Sequence, residues 1–119
     1  MKPRVYQYSK CSTCRKALAF LDANGVQYES VDIVTKPPTK PELKQALTAG
    51  GLPIKKLFNT SGQSYRDGKF GERLSALSES EALSALAADG KLIKRPLLIG
   101  DEVALVGFQE DAWADALGQ

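Results

Sequence analysis

Arg4-Val5-Tyr6-Gln7-Tyr8-Ser9-Lys10-Cys11-Ser12-Thr13-Cys14-Arg15-Lys16-Ala17 contains both cysteines of the 119-residue chain. Arg4–Tyr8 reads as a short strand. Cys14, Ala17, Leu18 and Leu21 then fall at i, i+3, i+4 and i+7, one apolar face of a helix ending at Asn24-Gly25. The thiol pair therefore sits at a strand-to-helix turn. In a small α/β chain this is the pattern of a redox centre.

Thiol acidity gives the pattern its chemistry. A helix N-terminus offers unpaired N–H groups and roughly half a positive charge, which favour a thiolate. Lys10, Arg15 and Lys16 add positive charge, and no carboxylate lies between Met1 and Leu21. Cys11 stands at the exposed terminus and Cys14 on the core face. The expected division is an attacking Cys11 and a resolving Cys14, with Cys11 alkylated first.

Other readings of the pair are weaker. Two inert buried thiols would suit Cys14 better than Cys11. Structural zinc wants about four ligands, whereas the chain has two cysteines and no histidine, so no metal is expected. A permanent structural disulfide would close a very short loop. Without histidine, any general acid or base must be a thiol, carboxylate, tyrosine or lysine.

Composition sets the frame. The length predicts one domain, 1–119, and a hydrophobic fraction of 43% is enough for a real core. No apolar run approaches the roughly 20 residues that span a bilayer, so no membrane partner is expected. Met1-Lys2-Pro3-Arg4 leads into a strand rather than an apolar signal core, which predicts a cytoplasmic protein with thiols kept mostly reduced. A net charge of +2, with scattered lysines, argues against direct nucleic-acid binding.

Further along, Val26–Ile33 reads as a second strand, so strand, helix and strand form a parallel βαβ unit. Lys36-Pro37-Pro38 interrupts the regular structure. Thr39 with Glu42, and Ser78 with Glu81, are capping boxes. The first opens a helix running to about Ala49, with Pro41 in its first turn, and ending at Gly50-Gly51. A short apolar piece, Leu52–Phe58, and a polar turn, Asn59–Gly62, follow. The second box opens a helix with Ala82, Leu83, Leu86 and Ala87 on one face, closed by Gly90. Leu97–Ile99 and Val103–Val106 flank Gly100-Asp101-Glu102 as a hairpin. A last helix, Gln109–Leu117, carries Ala112, Trp113, Ala116 and Leu117, with Trp113 assigned to the core. The order βαβ…ββα is that of an α/β, thioredoxin-like fold with an inserted helical subdomain. The core falls at about residues 1–35 and 91–119 and the insertion at about 36–90.

Four motifs stand in order: Cys11-Ser12-Thr13-Cys14-Arg15-Lys16-Ala17, Asn59-Thr60-Ser61-Gly62-Gln63-Ser64-Tyr65-Arg66, Lys94-Arg95-Pro96-Leu97 and Val106-Gly107-Phe108. In these the chain resembles the ArsC family of arsenate-reductase-like proteins, which includes Spx-type regulators and YffB-like proteins. The resemblance covers essentially the whole chain. It implies that Cys11 is the nucleophile, that Arg95 binds an anion or stabilises the thiolate, and that Pro96 is a cis-proline facing the cysteine loop. Arg15, Ser12 and Thr13 complete the expected anion- or thiol-binding set.

The glutaredoxin-coupled arsenate reductases carry two further arginines. These align near Leu57 or Phe58 and near Gly107, where this chain has no basic residue, so efficient arsenate reduction is not expected. Cys14, by contrast, resembles the redox switch of Spx-type regulators, which bind RNA polymerase. The resemblance thus implies a thiol–disulfide oxidoreductase without a bound cofactor, reset by glutathione, glutaredoxin or thioredoxin. Its alternatives are a regulator docking on the RNA polymerase α subunit, switched by a Cys11–Cys14 disulfide, and an arsenate reductase.

Overall fold

The computed structural model describes residues 2–118; Met1 and Gln119, the ends of the predicted domain, lie outside the described residues. The elements are β1 (Arg4–Gln7), α1 (Ser12–Ala23), β2 (Glu29–Asp32), α2 (Lys40–Gly50), α3 (Gln63–Asp67), α4 (Phe70–Arg73), α5 (Glu79–Ala88), β3 (Leu97–Ile99), β4 (Ala104–Val106) and α6 (Glu110–Leu117). Short 3₁₀ turns occupy Ile54–Leu57, Leu74–Ala76 and Gly90–Leu92. The strands form one mixed sheet in the order β2-β1-β3-β4. β1 runs parallel to β2 and antiparallel to β3, which pairs antiparallel with β4.

Strand alternation divides the core into two layers. Val5 and its register partner Leu98 face α1 and α6, packing with Ala17, Leu21 and Trp113. Tyr6 and its partner Leu97 face the other way, into a larger cluster with Ile33, Leu43, Leu83 and Leu86 from the side of α2 and α5. Helices thus cover both faces, the arrangement of the thioredoxin-like fold.

Both capping boxes form. Thr39 and Ser78 accept from the backbone N–H groups of Glu42 and Glu81, whose carboxylates accept from the cap N–H groups in return. The predicted strand Val26–Ile33 is trimmed to Glu29–Asp32. Val26 N–H is instead bonded to the Leu21 carbonyl at 3.0 Å, finishing the exit from α1. The hairpin strand begins at Ala104 rather than Val103, because the Val103 carbonyl accepts from Gly100 N–H at 2.7 Å to close the turn. In α6 Trp113 is buried, but Ala112 and Ala116 face solvent, so the apolar stripe is narrower than predicted.

Gly90 has a different role from the predicted helix stop. α5 ends at Ala88, and Gly90 lies where a Cβ would stand 1.8 Å from the Ile33 carbonyl oxygen. Its missing side chain lets the segment before β3 lie directly against the end of β2. That segment is also stitched to the middle of the chain: Asn59 N–H donates to Leu92 O and Lys94 N–H to Leu57 O, both at 2.8 Å. The approach to Arg95 is therefore held by backbone bonds.

Candidate redox site

Cys11 is the N-cap of α1. Its backbone is extended (φ −101°, ψ 113°), and its Sγ accepts from Cys14 N–H at 3.3 Å, the bond that a serine or aspartate cap would normally take. Cys11 N–H is held by the Tyr8 carbonyl at 3.0 Å, and the Cys11 carbonyl accepts the first helical bond, from Arg15 N–H at 3.1 Å. The thiol is half-buried, whereas Cys14, one turn inside the helix, is buried completely. Both are free thiols in the structure.

The two sulfurs are pushed apart in acidity. Burial works against ionisation of Cys11, but it is outweighed by hydrogen bonds from the Cys14 thiol and backbone N–H and by the charge and hydrogen bonding of Arg95. Its pKa is held below the ordinary 9.0. Burial pushes Cys14 up to about 12, helped by its hydrogen bond to Cys11 and by the negative charge there. The more acidic thiol is the half-buried one, and the less acidic thiol is the buried one.

Arg95 arrives from the opposite edge of the site. It is half-buried, its guanidinium lies over the Tyr8 ring at 5.3 Å from the centroid, and the Arg95–Pro96 peptide is cis. The Pro96 carbonyl accepts from Gly107 N–H at 2.9 Å, and the Gly107 carbonyl accepts from the Trp113 indole at 2.9 Å. The loop is thereby tied through β4 to α6.

The structure brings Cys11, Cys14 and Arg95 together. Ser12 and Thr13 lie exposed in the first turn beside Cys11. Arg15 turns its exposed guanidinium back to the Ser9 carbonyl at 3.1 Å, and the arginine whose charge acts on Cys11 is Arg95. Tyr8, a strand residue by sequence pattern, holds Cys11 by its carbonyl and Arg95 by its ring. Its place three residues ahead of the cysteine was the one available hint. Among the described residues no group of histidine, cysteine or carboxylate side chains could hold a metal ion, and no helix is long and apolar enough to cross a membrane.

Known proteins are similar to this chain over most of its length. YusI of Bacillus subtilis is 46% identical over 115 residues, covering 97% of this chain and 98% of YusI. The global transcriptional regulator Spx of Streptococcus agalactiae is 29% identical over 101 residues, covering 85% of this chain and 72% of Spx. A crystal structure of an ArsC family related protein from Bacteroides fragilis superposes with a TM-score of 0.92 at 42% identity, covering 98% of each chain. The sequence model of the ArsC family itself matches residues 6–116, from β1 through the cysteine turn and the Arg95–Pro96 loop into α6, and the chain belongs to that family.

Proposed function

We propose that this chain is a thiol–disulfide oxidoreductase in which Cys11 attacks and Cys14 resolves. The observation that carries this reading is the asymmetry of the pair: Cys11 is accessible, capped and beside Arg95, while Cys14 is buried and protonated.

The Cys11 thiolate attacks one sulfur of a disulfide RS–SR. The S–S bond breaks, RS⁻ leaves and takes up a proton, and a Cys11–S–SR mixed disulfide forms. With the negative charge on Cys11 gone, Cys14 loses part of what holds its proton. It ionises, attacks the Cys11 sulfur and expels the second RS⁻. Two electrons pass from the cysteine pair to the substrate, giving two RSH and a Cys11–Cys14 disulfide. Glutathione, glutaredoxin or thioredoxin returns the two electrons.

Arsenate is a poor fit to this site. Leu57 and Phe58 are buried in the core, and Gly107 adopts φ +70° beneath Trp113, so neither place offers a guanidinium. Each missing charged donor removes about 1.5–3 kcal/mol of oxyanion binding.

The test is NADPH consumption with glutathione or thioredoxin recycling, offering a model disulfide and then arsenate. Cys11→Ser should abolish disulfide turnover, and Cys14→Ser should accumulate the mixed disulfide. Turnover unaffected by Cys11→Ser would end the reading. Similarity to Spx favours a second reading, in which the oxidised pair changes docking to the RNA polymerase α subunit. Absence of turnover together with oxidation-dependent co-purification of that subunit would select it.

A further inference from the structure

Tyr8 stands just past the end of β1, and separate parts of it face each of the three groups of the redox site. Its carbonyl accepts from Cys11 N–H at 3.0 Å, closing the turn Tyr8-Ser9-Lys10-Cys11. A hydrogen bond from its backbone reaches the Cys14 sulfur. Its ring carries the Arg95 guanidinium, with Cζ 5.3 Å from the centroid. The ring does not drift, because both its sides are held. Ile33 N–H donates to the Gln7 carbonyl at 2.9 Å just ahead of it, and Arg15 donates to the Ser9 carbonyl at 3.1 Å just behind. The half-buried ring also packs against the larger of the two core clusters.

What holds Arg95 decides what it does to Cys11. An arginine side chain has many rotamers, and its pull on a neighbouring thiolate falls when it spends time elsewhere. The groups that act on the Cys11 sulfur are Cys14 from its own helix and Arg95 from the segment ahead of β3, while the guanidinium of Arg15 is turned to Ser9. Among the described residues no carboxylate is paired with Arg95. A carboxylate would hold the guanidinium but cancel its charge. An aromatic face holds it through the ring quadrupole and leaves the full positive charge to act on the sulfur.

We propose that Tyr8 is the positioning residue of this site: its ring holds the Arg95 guanidinium, still fully charged, beside the Cys11 sulfur. Any effect of Tyr8 on turnover rests on the oxidoreductase reading; its effect on Cys11 acidity stands apart from it. The experiment is the pH profile of Cys11 alkylation in the full chain, measured for wild type, Tyr8→Leu, Arg95→Met and the double variant. Tyr8→Leu should move the midpoint up by about half a pH unit, the worth of one half-exposed cation–π contact. Tyr8→Phe keeps the ring face and should move it far less. In the Arg95→Met background Tyr8→Leu should add no further movement, because no guanidinium is left to hold.

A midpoint unmoved by Tyr8→Leu would overturn the proposal. So would an equal movement with Arg95→Met in place, which would put the action of Tyr8 in the turn at Cys11 instead. If Tyr8→Leu folds poorly, the unmutated chain still decides: nuclear Overhauser contacts between the Tyr8 ring and the Arg95 side chain are expected, and their absence would overturn the proposal. Wild-type turnover of uncharged bis(2-hydroxyethyl) disulfide, with Cys11→Ser as blank, tests the oxidoreductase reading separately. Its failure with the coupling of Tyr8 to Arg95 intact would remove that reading and leave the positioning role, whereas turnover without the coupling would remove the positioning role alone.

Discussion

Competition between the two thiols for one alkylating agent tests the site at its centre. At pH 7 a thiol of pKa about 12 is ionised to about one part in 10⁵, which describes Cys14. Cys11, held below 9.0, is ionised to more than about one part in 100. The thiolate populations therefore differ by more than about 10³. The more basic thiolate is intrinsically more nucleophilic, and a Brønsted slope of about 0.4–0.5 over three units returns a factor of about 16–32 to Cys14. Cys11 should still react at least about thirtyfold faster, and the complete burial of Cys14 widens the gap. The assay is timed iodoacetamide labelling of fully reduced protein at pH 7, with fragment-ion mass spectrometry to assign each label within the peptide that holds both residues. Rates within threefold of one another, or earlier labelling of Cys14, would refute the assigned roles.

Arg95→Met should raise the Cys11 pKa and move the alkylation–pH profile to higher pH, with Arg95→Lys recovering part of the shift; an unmoved profile would show that Arg95 does not act on the thiolate. Tyr6→Phe removes the 2.6 Å hydrogen bond to Glu42 and should cost about 1 kcal/mol, seen as a fall in Tm of about 3–5 °C. Burial alone would raise the pKa of Glu42, but bonds from Tyr6 and Thr39 and the charge of Arg4 depress it below 4.5. The stability it contributes is present above that ordinary value and is lost as pH falls through the depressed one. Acid unfolding of Tyr6→Phe should accordingly be shallower below pH 4.5 than in wild type. Gly90→Ala drives a Cβ into the Ile33 carbonyl and should destabilise by about 2 kcal/mol or more, read from urea unfolding.

Local chemistry explains what could be read from the chain. The capping boxes at Thr39 and Ser78 are complete within four residues, so their hydrogen bonds are written in the sequence itself. The alternation through Val5 and Tyr6 and the apolar face through Cys14, Ala17 and Leu21 likewise need no distant partner. What escaped is held from a distance. α3 and α4 are too short to show a period. They are anchored by Tyr65 and Phe70 packing on Phe58, with ring centroids 6.2 and 5.5 Å away. The turn of Arg15 toward Ser9 and the stacking of Arg95 on Tyr8 are settled by three-dimensional neighbours that spacing does not encode. At the site, the cysteine turn was legible from spacing and Arg95 from the resemblance, while the place of Tyr8 between them came from the structure.

Arg95 rests on an aromatic ring, and among the described residues no carboxylate is paired with it. Its anionic counterpart is the ionised Cys11. In the proposed reaction, joining Cys11 to Cys14 would remove that anion while the guanidinium stays on Tyr8, leaving the end of the sheet more positive. Oxidation of the pair would then be recorded as local electrostatic potential. A binding surface sensitive to charge alone could tell the two forms of this protein apart.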